Sequence, residues 1–125
     1  MIQNPRKFTA GPDPFGRKWQ VLFRWQQNAI SIRHADAIDN KFELTADDGT
    51  TMDKVIAIRH TDALAVAKML GREVTDSWLM RIAAEHILTM IETWEDAEPV
   101  LVTLSLEQVE EHARKLQAEF SAARS

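Results

Sequence analysis

From Lys18 to Trp25 the chain reads KWQVLFRW. Trp19, Val21, Phe23 and Trp25 fall on one side of an extended chain, and Lys18, Gln20 and Arg24 on the other, with Leu22 the exception. A period of two marks a half-buried strand, so the first regular element is expected to be a β-strand with an aromatic face turned to a core.

Downstream, Gln26–Asn28 form a polar break, after which Ile30, Ile32 and His34 alternate with Ser31 and Arg33 as a second strand. Phe42, Leu44 and Ala46 alternate with Lys41, Glu43 and Thr45 as a third, and Asp47-Asp48-Gly49 supplies tight-turn chemistry. The fourth, Lys54 to His60, carries apolar residues on both faces at Val55, Ile56, Ala57 and Ile58, as expected of a strand that is central or covered by a partner.

Beyond His60 the period changes. Thr61 or Asp62 caps a short helix that ends near Leu70, with Gly71 as its left-handed stop. From a cap at Thr75 or Asp76, apolar residues recur at Trp78, Leu79, Ile82, Ala83, Ile87, Met90, Ile91 and Trp94, one broad helical face. Val100 to Leu104 reads as a short extended piece. Ser105 with Gln108 three residues later forms a capping box for a last helix, whose stripe is Leu106, Val109, Ala113, Leu116 and Phe120. The expected fold is therefore α+β: a four-stranded antiparallel meander followed by about three helices packed on one face of the sheet.

Upstream, residues 1–16 hold three of the four prolines and two of the four glycines, which disfavours a helix or a central strand. They are read as a flexible or extended N-terminal arm, and residues 17–121 as one domain, since 125 residues suit a single core. With 45% hydrophobic and 27% charged residues the chain is expected to fold rather than stay disordered. The absence of cysteine excludes disulfides and thiolate chemistry. No apolar run approaches a membrane span or a signal peptide, so the expected setting is cytoplasmic, without membrane contact.

Residues 1–34 carry six Lys/Arg against one acid, Asp13, whereas the rest carry nine against eighteen. Such a split marks a basic region that meets an anionic partner, or two halves that pair within the fold. Arg6, Lys7, Lys18, Arg24, Arg33 and Arg59 are the candidate anion- or nucleic-acid-binding residues.

A second constellation comes from an internal echo, since IRHADAI at 32–38 and IRHTDAL at 58–64 share five of seven residues. Both would close parallel-running strands of a meander, gathering His34, Asp36, His60 and Asp62 with Arg33 and Arg59 at one rim, where guanidinium forks suit a carboxylate or phosphate. His34, His60, His86 and His112 recur every 26 residues, but the last two sit in helical context with no strand-end motif, so no repeat follows.

Phosphate loops, the serine nucleophile elbow and the HExxH metal motif are all absent, so no catalytic residue, metal or cofactor is expected. The composition favours a non-enzymatic binding or adaptor domain, a homodimer, acting on nucleic acid or protein through the basic arm and the outer sheet face. The alternative is a small-molecule pocket between sheet and long helix, lined by Trp19, Trp25, Trp78, Trp94 and His86.

Overall fold

The computed structural model describes residues 2–29 and 36–124. The expected second strand at Ile30–His34, and with it Arg33 and His34, lies outside those residues. The described chain runs β1 (Lys7–Ala10), β2 (Trp19–Ala29), β3 (Ala37–Ala46), β4 (Thr51–Arg59), α1 (His60–Met69), α2 (Asp76–Thr93), β5 (Leu101–Thr103) and α3 (Leu106–Arg124). The strands form one sheet in the order β1-β2-β3-β4-β5, antiparallel throughout except that β5 joins β4 in parallel. This is an α+β fold with four antiparallel strands ahead of the helices.

Alternation sets the two faces. Trp19, Val21, Ile38, Phe42, Leu44, Ile56 and Ile58 point into a core that α2 covers with Leu79, Ile82, Ile87 and Ile91, while α1 and α3 add Val66, Val109 and Leu116. The helix α2 forms where its apolar period places it, capped by the Thr75 hydroxyl accepting from the Trp78 amide. The capping box of α3 closes as its sequence implies: Ser105 Oγ accepts from Gln108 N, and Gln108 Oε1 accepts from Ser105 N.

The proline-rich segment is more ordered than an arm. Its Lys7–Ala10 stretch pairs with Leu22–Trp19 as an edge strand, a place that tolerates flanking prolines because only one side of the ladder must be satisfied. Ile2 reaches the core. The loop behind β1 turns tightly at Gly11, where φ is 112° and an added Cβ would stand 2.8 Å from the Arg17 carbonyl oxygen.

The expected aromatic face needs one correction. Trp19↔Ala46, Val21↔Leu44 and Phe23↔Phe42 are inward pairs, but a β-bulge between Phe23 and Trp25 inserts Arg24 and shifts the register, so Trp25 lies opposite Lys41 on the outer face. An extra residue reverses the parity of everything after it. Gln26 turns inward instead, donating to Asn40 Oδ1 and to the Asp76 carbonyl, and so ties β2 to the start of α2.

Candidate protein interface and buried polar centre

Among the described residues, no helix covers the outer face of the sheet. Its residues come in cross-strand rows, and the central row is Trp25, Lys41, Val55 and Leu101, one from each of β2, β3, β4 and β5. Trp25 is 40% exposed, Leu101 58% and Leu22, in the adjoining row, 39%. Strand parity places these apolar side chains outward, where they remain partly exposed.

The charges around them largely answer one another. Arg24 Nε lies 3.5 Å from Glu43 Oε1, and Lys41 Nζ 3.7 Å from Asp53 Oδ2. Asp39 faces outward one row beyond Lys41, opposite Ala57, and burial pushes its carboxyl above the ordinary range.

The six proposed basic residues do not converge. Lys7, Arg24 and Arg59 belong to the outer face, Arg6 lies across it with its guanidinium 5.5 Å from the inward Phe23 ring, and Lys18 sits at the entry to β2 beside Asp47. Arg33 is outside the described residues. At the predicted rim, the His60 amide donates to the Asp36 carbonyl, but Asp36 precedes the start of β3, which runs antiparallel to β4, and Asp62 lies in the first turn of α1. His60 also lines a cavity of about 690 Å³ with Lys68, Arg72 and Leu64 between α1 and the start of α2.

The four tryptophans share no pocket. Trp19 and Trp94 pack against each other with ring centres 6.1 Å apart, Trp78 lies under the Arg72 guanidinium at 4.6 Å, and Trp25 is on the opposite face of the sheet.

A second feature lies where α2, α3 and the loop between α2 and β5 meet. His86 Nδ1 and His112 Nε2 are 3.1 Å apart, and both rings are buried. Asp96 Oδ2 stands 3.4 Å from His86 Nε2, close enough for attraction although His86 Nε2 has no partner in hydrogen-bond geometry. Beside them Glu85, also buried, faces Lys115 Nζ at 3.2 Å.

Burial holds His112 down at about 4, helped by His86 and Lys115; burial also lowers His86, with Asp96 and Glu95 pulling it partway back. In their neutral forms, which burial favours, the two imidazoles can share a single N–H across the contact.

The adjoining loop is under strain and is held on several sides. Trp94, the last cap of α2, has φ 64° and Asp96 has φ 59°, left-handed values that a β-carbon disfavours by about 1 kcal/mol or more. Offsetting this, the Trp94 ring stacks on Trp19 and on the Arg17 guanidinium 5.2 Å away. Lys54, buried on the inner face of β4, donates from Nζ to the carbonyls of Asp96, Ala97 and Pro99.

Sequence periodicity did contain part of this centre. His112 stands three residues after Val109 and four before Leu116, inside the buried stripe of α3, and His86 lies next to Ile87 on α2. Their meeting, and the reach of Lys54 across more than forty residues, depend on tertiary packing and leave no local signal. Among the described residues no group of three or more His, Asp or Glu side chains is placed to hold a metal ion, and no helix is long and apolar enough to cross a membrane. Comparison with protein-family models, with curated proteins and with solved structures finds no match to this chain.

Proposed function

We propose that the protein is a non-enzymatic binding module that works as a homodimer, joined through the uncovered outer face of its sheet. The observation that carries this reading is the outward row Trp25, Lys41, Val55, Leu101, with Leu22 beside it and no helix above it among the described residues. A partly exposed tryptophan on such a face is the kind of anchor that dominates interface energies.

Two further observations favour a second copy over nucleic acid. Acids and bases alternate on this face and pair within it, so it offers neither a cationic track for phosphates nor a strong field repelling its own copy. The face is also large enough: three strands roughly 30 Å long, flanked by two of roughly 10 Å and spaced about 4.8 Å apart, present on the order of 600 Å² in projection, comparable with one side of a standard interface.

Sedimentation equilibrium at neutral pH is the direct test. The expected mass is twice the 14.3 kDa of the chain. Trp25→Ala and Leu101→Glu are expected to weaken the dimer at least tenfold while leaving the circular dichroism unchanged. A wild-type monomer across the micromolar range overturns the reading; a monomer that binds oligonucleotides with steep salt dependence replaces it with nucleic-acid binding.

A further inference from the structure

The contact between His86 and His112 closes a stretch of chain that contains the strained loop, all of β5 and the start of α3. That stretch supplies Leu101, one end of the apolar row on the outer face, and joins β4 by only a short ladder: Val55 N donates to the Val100 carbonyl and Leu104 N to that of Ala57. A three-residue edge strand has little pairing of its own, so its position depends on what holds the segments before and after it.

We propose that the Asp96, His86 and His112 contact is an acid-sensitive latch that seats β5 in the outer face, so that acidification loosens β5 and separates the dimer. The dimer arm of this proposal rests on the reading of the outer face as a homodimer interface; the β5 arm does not.

The latch works because neutral imidazoles can share one N–H across 3.1 Å, whereas two imidazolium rings at that distance repel and have no acceptor between them. The groups facing the pair decide the direction. From the loop, Asp96 and Glu95 favour a first proton on His86. From α3, Lys115 opposes a proton on His112, and Glu85 of α2 is already engaged with that lysine. From β4, Lys54 brings a further ammonium to the loop carbonyls, attracted by the Asp96 carboxylate.

No described carboxylate stands at His112, so full protonation must part α2 from α3 at this point. Asp96 would then be drawn with His86 while its backbone is still held by Lys54. The strained loop relaxes as these restraints diverge, and β5, which follows directly, loses its seat.

Two measurements between pH 7.5 and pH 3.5, a range that spans the lowered His112 titration at about 4, test this: hydrogen exchange of the Leu101, Val102 and Thr103 amides, corrected for intrinsic rate, and sedimentation equilibrium. The wild type is expected to lose at least tenfold in β5 protection and at least tenfold in dimer affinity as the imidazole NMR resonances of His86 and His112 titrate. His112→Gln, which keeps a side-chain amide without a titrating ring, is expected to remove both responses.

If the wild type is monomeric at pH 7.5, the dimer reading fails and the β5 exchange still decides the latch. Constant β5 protection through the imidazole titration overturns the latch, as does the same acid response in a folded His112→Gln. Should that variant not fold, the coincidence of titration and exchange in the wild type carries the decision alone.

Discussion

Single side chains define the corners of this fold. The Asp13 carboxylate accepts from the amides of Phe15 and Arg17 at one oxygen and from Arg17 Nε and Trp19 Nε1 at the other. Burial alone would raise its pKa, but the donors from Trp19, Arg17 and Phe15 outweigh it and hold the group at about 2. Asp13→Asn keeps the shape but loses the charge that these donors require. The variant is expected to show a lower urea midpoint at pH 7, measured by tryptophan fluorescence. Lys54 is the corresponding cation: Lys54→Met fills the same space but leaves the carbonyls of Asp96, Ala97 and Pro99 without their donor. A loss of roughly 2 kcal/mol in urea unfolding is expected, with faster amide exchange at Ala97 and Glu98. Lys54 was not legible as a buried residue, since a lysine in an alternating strand reads as outward until the register shows it opposite Phe42.

At the scale of elements, periodicity and capping chemistry carried most of the fold. The long apolar face of α2, the Ser105 and Gln108 box and the Asp-Asp-Gly turn are local signals, and the chain obeys them. What was hidden is what depends on partners. The β1 strand has too little sequence signal to oppose its prolines and exists because Val21 and Leu22 offer it an edge. The bulge at Arg24 leaves no mark in an alternating pattern, yet it carries Trp25 from the core side to the outer face and thereby creates the candidate interface. Of the rim residues read from the internal echo, the described ones meet through the His60 amide and Asp36 carbonyl, because Asp36 enters β3 where the antiparallel β4 leaves for α1. The cap on α3 gives a test at this scale: Ser105→Ala and Gln108→Ala are each expected to cost about 1 kcal/mol. Because the two side chains answer each other, the double variant should lose less than the sum in urea unfolding.

The whole molecule should respond to acid in two separable steps, whatever its state of association. In the first, His112 titrates near 4 when folded and near 6.5 when unfolded, and His86 is lowered as well. Between those values the unfolded chain takes up protons that the folded chain refuses, so stability present in full above about pH 6.5 is lost as the pH falls towards 4. For His112 alone this amounts to at most roughly 3 kcal/mol, a large share of a small domain's stability. The second step belongs to Asp13, about 2 when folded against 3.8 when unfolded, and to Asp48, lowered by its hydrogen bonds with Thr50. Their contribution is intact above pH 3.8 and is lost as the pH falls through 2. Asp39, raised by burial, works the other way, since the folded chain then accepts its proton first and offsets part of the loss. Urea midpoints measured from pH 8 to pH 2 should therefore fall once between 6.5 and 4 and again below 3.8. His112→Gln should flatten the upper limb and leave the lower one, and Asp13→Asn should do the reverse. An upper limb of unchanged slope in His112→Gln would mean that the proton uptake lies on groups other than this pair, and the buried imidazoles would then be packing alone.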